Sequence, residues 1–97
     1  MLVLITYDVN LTSDGGSKRL RHISKTCLDY GVRVQYSVFE CEITPAQWVE
    51  LKAALLDIYD SVTDSLRFYY LGAKWKRKVE HHGAKETPDI IRDTLIL

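Results

Sequence analysis

The chain has 97 residues, 46% of them hydrophobic, and its 13 basic and 13 acidic side chains cancel to a formal net charge of zero. That length makes one domain with a modest core, a size at which a partner subunit adds much to stability, and the balanced charge argues against uniform attraction to nucleic acid. No apolar run reaches the ~18 residues of a membrane span and no basic N-terminal region precedes a signal-peptide core, so a cytoplasmic protein without membrane contact is expected.

An unbroken apolar run over residues 2–7 predicts a strand buried on both faces, ending abruptly in Asp8. Residues 10–16, with Gly15 and Gly16, read as a loop. A helix is expected over residues 17–30, because Leu20, Ile23, Cys27 and Tyr30 recur at three- and four-residue steps while Lys18, Arg21 and Lys25 form a separate stripe; Gly31 stops it. In "VRVQYSVFECEI", Val32, Val34, Tyr36 and Val38 alternate with Arg33, Gln35, Ser37 and Phe39. No Gly, Asn or Asp interrupts this stretch, which predicts a long bent strand or two short ones meeting at a bulge.

"TPAQ" announces a second helix: Thr44 caps, Pro45 fits the first helical position and Gln47 reaches back to complete a capping box. Trp48, Leu51, Leu55 and Ile58 supply its apolar stripe. Residues 63–71 form a further strand, with Leu66, Phe68 and Tyr70 opposed to Arg67, Tyr69 and Leu71, closed by Gly72. The order is that of the split βαβ arrangement, an α+β, ferredoxin-like βαββαβ core over residues 1–72. The tail, residues 73–97, alternates at Trp75, Arg77 and Val79 and ends in strand-like "TLIL". As an extra C-terminal strand it is expected to pair with a partner subunit's sheet in a homodimer.

Charge is segregated. Lys18, Arg19, Arg21, Lys25 and Arg33 face only Asp29 in residues 17–35, and Arg67, Lys74, Lys76, Arg77 and Lys78 face no acid in residues 67–78. Residues 40–64 carry Glu40, Glu42, Glu50, Asp57, Asp60 and Asp64 against Lys52 alone. Either these are separate basic and acidic faces or simply solvated helix and strand surfaces. Cys27 and Cys41 are too far apart for a CxxC pair and lie in apolar patterns, as buried free thiols do. His81 and His82 are adjacent, face opposite ways in an extended segment, and read as a solvated pair.

"YDV" at the end of the first strand, the basic residues opening the first helix, "GVRVQYSVFECEI" and "DSLRFYYLG" together resemble the CRISPR-associated protein two family, the small ferredoxin-like partner of the CRISPR integrase. The resemblance runs through residues 1–72 in order and register, with "VQYSVFE" its most specific part; the tail is similar only in type. It implies a ferredoxin-like homodimer, a divalent-metal site, for magnesium (Mg2+) or manganese (Mn2+), where two strand-1 aspartates approach across the dimer axis, and work in capturing foreign DNA as new spacers. Some members of that family also cleave RNA or DNA.

On this resemblance Asp8 is the candidate metal ligand and catalytic residue. Magnesium takes hard oxygen ligands and keeps several waters, so one or two carboxylates with substrate phosphate suffice to hold it. The bland alternative is that Asp8 only ends a strand, bonding to nearby backbone. Tyr7, Arg19, Arg21, Arg33, Ser37, Lys76 and Arg77 are the candidate nucleic-acid contacts, with Arg33 and Ser37 expected to line the dimer cleft near Asp8. Phe39, Trp75 and Val79 are expected at the subunit interface. The expected function is a DNA-binding bridge for the integrase in spacer acquisition, with magnesium-dependent phosphodiesterase activity of low rate on RNA or DNA. The alternative is a ferredoxin-like regulatory or RNA-binding module without catalysis, although "VRVQYSVFE" lacks the glycine-aromatic pattern of base-stacking sheets.

Overall fold

The computed structural model describes residues 1–71 and 78–84. In chain order these form β1 (Leu2–Asp8), α1 (Gly16–Leu28), β2 (Val32–Gln35), β3 (Val38–Glu42), α2 (Pro45–Ile58), β4 (Ser65–Tyr70) and β5 (Lys78–Gly83). Every neighbouring pair is antiparallel in one sheet of order β2-β3-β1-β4-β5. This is the expected α+β, ferredoxin-like unit with an extra C-terminal strand. Among the described residues no helix is long and apolar enough to cross a membrane.

β1 is central because its apolar run can be buried on both sides of the strand. Ile5 stands between Phe39 of β3 and Phe68 of β4, and all three are fully buried; each such side chain contributes about 1.5–3 kcal/mol by leaving water. Val3, Ile5 and Tyr7 share a core with Ile23 and Cys27 of α1 and with Trp48, Leu51 and Leu55 of α2. Both helices therefore cover one face of the sheet, here called the helix face. On the far face Leu4 and Tyr69 are also buried. Because α1 and α2 pack side by side, the basic and acidic segments are neighbours in one layer instead of lying on opposite sides.

The capping box is present: Thr44 Oγ1 accepts from Gln47 N–H at 3.1 Å and Gln47 Oε1 accepts from Thr44 N–H at 2.9 Å. α1 begins one residue earlier than periodicity suggests and ends at Leu28. Its first residue must be glycine, since a Cβ on Gly16 would lie 2.3 Å from the Asn10 carbonyl oxygen. Tyr30, beyond the helix, still packs at the core margin. Cys27 and Cys41 are free and buried as expected; burial pushes their thiols up to about 12 and about 11.

Two expectations change. "VRVQYSVFECEI" forms two short strands, but they make a hairpin in which Gln35 pairs with Val38 across a turn at Tyr36 and Ser37, with the register shift inside β2 between Arg33 and Gln35. A turn was thus closed without the residues that usually mark one. In the tail, residues 78–83 extend the chain's own sheet: β5 pairs with β4 from Tyr70↔Lys78 to Ser65↔Gly83. The free edge of β4 accepts in cis a segment expected to seek a partner. Glu80 anchors it to α2, its Oε2 2.5 Å from Lys52 Nζ and 2.5 Å from His82 Nε2, while Tyr70 O–H donates to Oε1 at 2.7 Å. Trp75, Lys76 and Arg77, and the chain from residue 85 onward, lie outside the described residues.

Candidate functional site

The end of β1 divides the candidate residues. Successive strand side chains point to opposite faces, so Tyr7 enters the helix face with Val3 and Ile5, while Asp8, paired with Ser65, projects on the far face and is exposed.

On the helix side, α1 and the β2–β3 hairpin enclose a cleft of about 420 Å³ around Tyr7, Leu20, Arg21, Ser24, Lys25, Leu28, Arg33 and Tyr36. Among the described residues three cations and no carboxylate line it. Arg21, Ser24, Lys25 and Leu28 reach it because they recur at helical steps on one side of α1. The Arg33 guanidinium lies 5.1 Å from the Phe39 ring centroid, in cation–π range, and hydrogen-bonds Ser24 Oγ. At the floor, Tyr7 is 6% exposed and its hydroxyl is buried without a hydrogen-bond partner among the described residues. Burial raises its pKa, opposed by the nearby Ser24 hydroxyl and Arg33 charge, which stand close without a properly formed hydrogen bond. Such a cleft can seat phosphate on its cations and a flat ring on Tyr36, which is 77% exposed. Ser24, Lys25 and Tyr36 were not among the expected contacts; the spacing from Arg21 was the signal for the first two.

Arg19 is not part of this cleft, which corrects the expectation that it binds phosphate. Its Nε donates to Asp64 Oδ2 at 2.7 Å, Nη1 to the Asp14 carbonyl at 2.6 Å, and Nη2 to Ser13 Oγ at 2.5 Å. Asp64 is fully buried and also accepts from the backbone N–H groups of Asn10 and Asp60, both at 3.0 Å. Burial disfavours its charge, but the bonds from Arg19, Asp60, Asn10 and Thr63 outweigh that and hold its carboxyl below the ordinary range. The guanidinium is committed to a knot that ends β1 and starts β4. Gly83 (φ +121°) belongs to it, since a Cβ there would lie 2.1 Å from the Asp64 carbonyl oxygen.

On the far side a smaller cleft of about 80 Å³ is lined by Thr6, Tyr7, Asp8, Ser65, Arg67 and His81. Among the described residues no group of three or more His, Cys, Asp or Glu side chains is arranged to hold a metal. Among the described residues Asp8 is the single carboxylate lining this cleft, an exposed hard-oxygen group. A hard-oxygen donor of this kind fits magnesium or manganese, with water, substrate phosphate or a second carboxylate filling the remaining positions.

The remaining expected positions divide. Arg33 lies on the helix side, across the sheet from Asp8, so it does not line a cleft with it. Ser37, half-buried in the hairpin turn, contributes its carbonyl oxygen to Tyr7 N–H at 3.2 Å. Phe39 is fully buried in the chain's own core, stacked 6.1 Å from Tyr7, and is unavailable to a subunit interface. Val79 is half-buried opposite Tyr69 on the far face. His81 and His82 do face opposite ways, but both are half-buried and engaged, not solvated. That His81 would reach the Asp8 cleft was missed, because only the β4–β5 register places it there.

The chain is 59% identical over its full length to the CRISPR-associated endoribonuclease Cas2 of Chlorobaculum tepidum, with 100% of each covered. It is 54% identical over 96 residues to the CRISPR-associated endonuclease Cas2 of Halalkalibacterium halodurans, with 99% of each covered. A crystal structure of Streptococcus pyogenes Cas2 at pH 6.5 superposes with a TM-score of 0.69 and 59% sequence identity, covering 77% of this chain and 90% of that one. The model of the family described as CRISPR associated protein Cas2 matches residues 1–79. With the strand order and these matches in agreement, the chain belongs to the CRISPR associated protein Cas2 family.

Proposed function

We propose that this protein is a CRISPR-associated, divalent-metal-dependent endonuclease that works as a homodimer on RNA or DNA. In the same reading it also bridges nucleic acid to the CRISPR integrase during spacer acquisition. The observation that carries it is the exposed Asp8 carboxylate at the end of a central strand, on the face without helices, where a second copy can approach. The endonuclease and endoribonuclease names of relatives identical at 54% and 59% support the reaction class.

Asp8 from each protomer would hold the ion. A bound magnesium or manganese ion supplies Lewis-acid polarisation of a phosphoryl oxygen and a more acidic attacking water. The chain's own part is to fix Asp8 rigidly: its strand pairs with Ser65 on one side, and the Arg19–Asp64 knot ends the strand just beyond it. Arg21, Lys25 and Arg33, on the helix side of the sheet, attract the polyanion through its phosphates. A regulatory module without catalysis does not require an exposed carboxylate there.

Asp8→Asn tests the proposal, since it keeps shape and removes charge. Metal-activated cleavage by the purified protein should fall by about 100-fold or more, while melting temperature and nucleic-acid affinity change little. Spacer acquisition with the integrase should persist, because bridging relies on basic surface. Equal cleavage by both proteins would return Asp8 to the role of a residue that ends a strand.

A further inference from the structure

Beside Asp8, β4 and β5 bring together two side chains from distant parts of the sequence. Arg67 and His81 are cross-strand partners, and Arg67 Nε donates to His81 Nδ1 at 3.3 Å. That bond sets the tautomer: Nδ1 keeps its lone pair as acceptor, so the proton of the neutral ring sits on Nε2. Nε2 is buried and finds no hydrogen-bond partner among the described residues. A buried polar group left unmatched calls for an explanation, and a ligand oxygen is one. The ring lines the cleft of about 80 Å³ that also contains Asp8, Thr6 and Ser65.

We propose that Arg67 and His81 form a phosphate subsite, binding the non-bridging oxygens of the internucleotide phosphodiester that lies at Asp8. The assignment rests on the reading of Asp8 as the reacting face. Three features favour it. The cleft is small beside the 420 Å³ basic cleft, which suits a phosphate group better than a base. A phosphodiester brought next to an Asp8 carboxylate needs a countercharge, and the Arg67 guanidinium provides one on the same face. The tautomer leaves His81 a donor: with Nδ1 occupied by Arg67 and Nε2 protonated, the ring has no lone pair to give a metal ion or a substrate proton. It therefore binds oxygen and does not act as ligand or base. Neighbouring Tyr69 holds the other end of the guanidinium, its hydroxyl 3.4 Å from Arg67 Nη1, so the fork is oriented before substrate arrives.

The test uses the full chain with magnesium and a short single-stranded oligonucleotide. His81→Leu removes the donor, whereas His81→Gln retains an N–H in the corresponding position. KM for cleavage should rise about tenfold in His81→Leu and return to within about threefold of the unchanged protein in His81→Gln. As a measurement independent of folding effects, the His81 Nε2–H resonance of the unsubstituted protein should shift when an uncleavable phosphorothioate oligonucleotide is added. An unmoved resonance, or the same KM in all three proteins, overturns the subsite. Asp8→Asn is measured alongside: undiminished cleavage in that variant overturns the reaction reading instead, and the Nε2–H resonance still decides whether phosphate sits at Arg67 and His81.

Discussion

Tyr7 and Asp8 are consecutive in the chain, yet they serve two clefts that differ in size, charge and chemistry. The helix-side cleft is about 420 Å³, lined by Arg21, Lys25 and Arg33 with Tyr7 at its floor, and holds no carboxylate among the described residues. The far-side cleft is about 80 Å³ and sets Asp8 beside one guanidinium and one imidazole. The two-residue period of a strand thus separates a surface suited to holding a polyanion from a surface suited to acting on it, across the thickness of one sheet. Substitutions should therefore sort by which face they touch, except at the residues that fix the end of β1 for both.

The largest effect is expected where the comparison should collapse. Asp64→Ala leaves the Arg19 guanidinium and the Asn10 and Asp60 N–H groups without their acceptor. The loss should be about 3–5 kcal/mol of stability, seen as an early melt by circular dichroism, with binding and cleavage lost together. A variant that melts like the original would show that this knot does not hold the two clefts in place. Arg19→Met should likewise lower the melting temperature, with weaker binding only as a consequence of unfolding.

A smaller, one-sided effect is expected from Arg21→Ala combined with Arg33→Ala. Affinity for nucleic acid should drop, and the slope of log affinity against log salt should flatten by about 2, roughly one for each phosphate contact removed. Both side chains are exposed and Arg33 gives up only its contacts with Phe39 and Ser24, so melting should fall far less than in Asp64→Ala. An unchanged slope would mean the helix-side cleft does not touch phosphate.

The smallest effect probes the far side through β5. Burial raises the Glu80 carboxyl, but hydrogen bonds from Lys52, Tyr70 and His82 outweigh it and hold the group at about 2, below its ordinary 4.5. A carboxyl depressed on folding stabilises the native state above its unfolded pKa, and that contribution is lost as pH falls through the folded value. Melting temperature should therefore decline between pH 4.5 and about 2 more steeply in the original protein than in Glu80→Gln. Because Glu80 pins the strand carrying His81, Glu80→Gln at neutral pH should disturb cleavage before it disturbs binding. Parallel pH curves would detach Glu80 from the anchoring of β5.

The parts of this fold that were legible in the sequence are those with a local cause. The apolar run of β1, the alternation of β4 and the capping box at Thr44 each follow from residues within a few positions of one another. The hairpin at Tyr36 and Ser37 was not legible, because no Gly, Asn or Asp marks it and pairing with β1 is what fixes β3. Arg19 and Arg21 look equivalent in sequence, and only a buried carboxylate 45 residues away separates structural arginine from surface arginine. His81 was hidden for the same reason, since Arg67 lies 14 residues from it and the register of two strands brings them together. Asp8 was visible as an anomaly at the mouth of a core strand, whereas the face it occupies came from the fold.

The account turns on Asp8 being half of a site that two copies complete. The most direct measurement is a crystal structure of the dimer grown with magnesium, read for the position of both Asp8 carboxylates. The account predicts that they face one another across the twofold axis, with a single ion between them held directly at about 2.1 Å or through one bound water on each side. Two Asp8 side chains on outward surfaces, or separate ions each complete within one protomer, would contradict it.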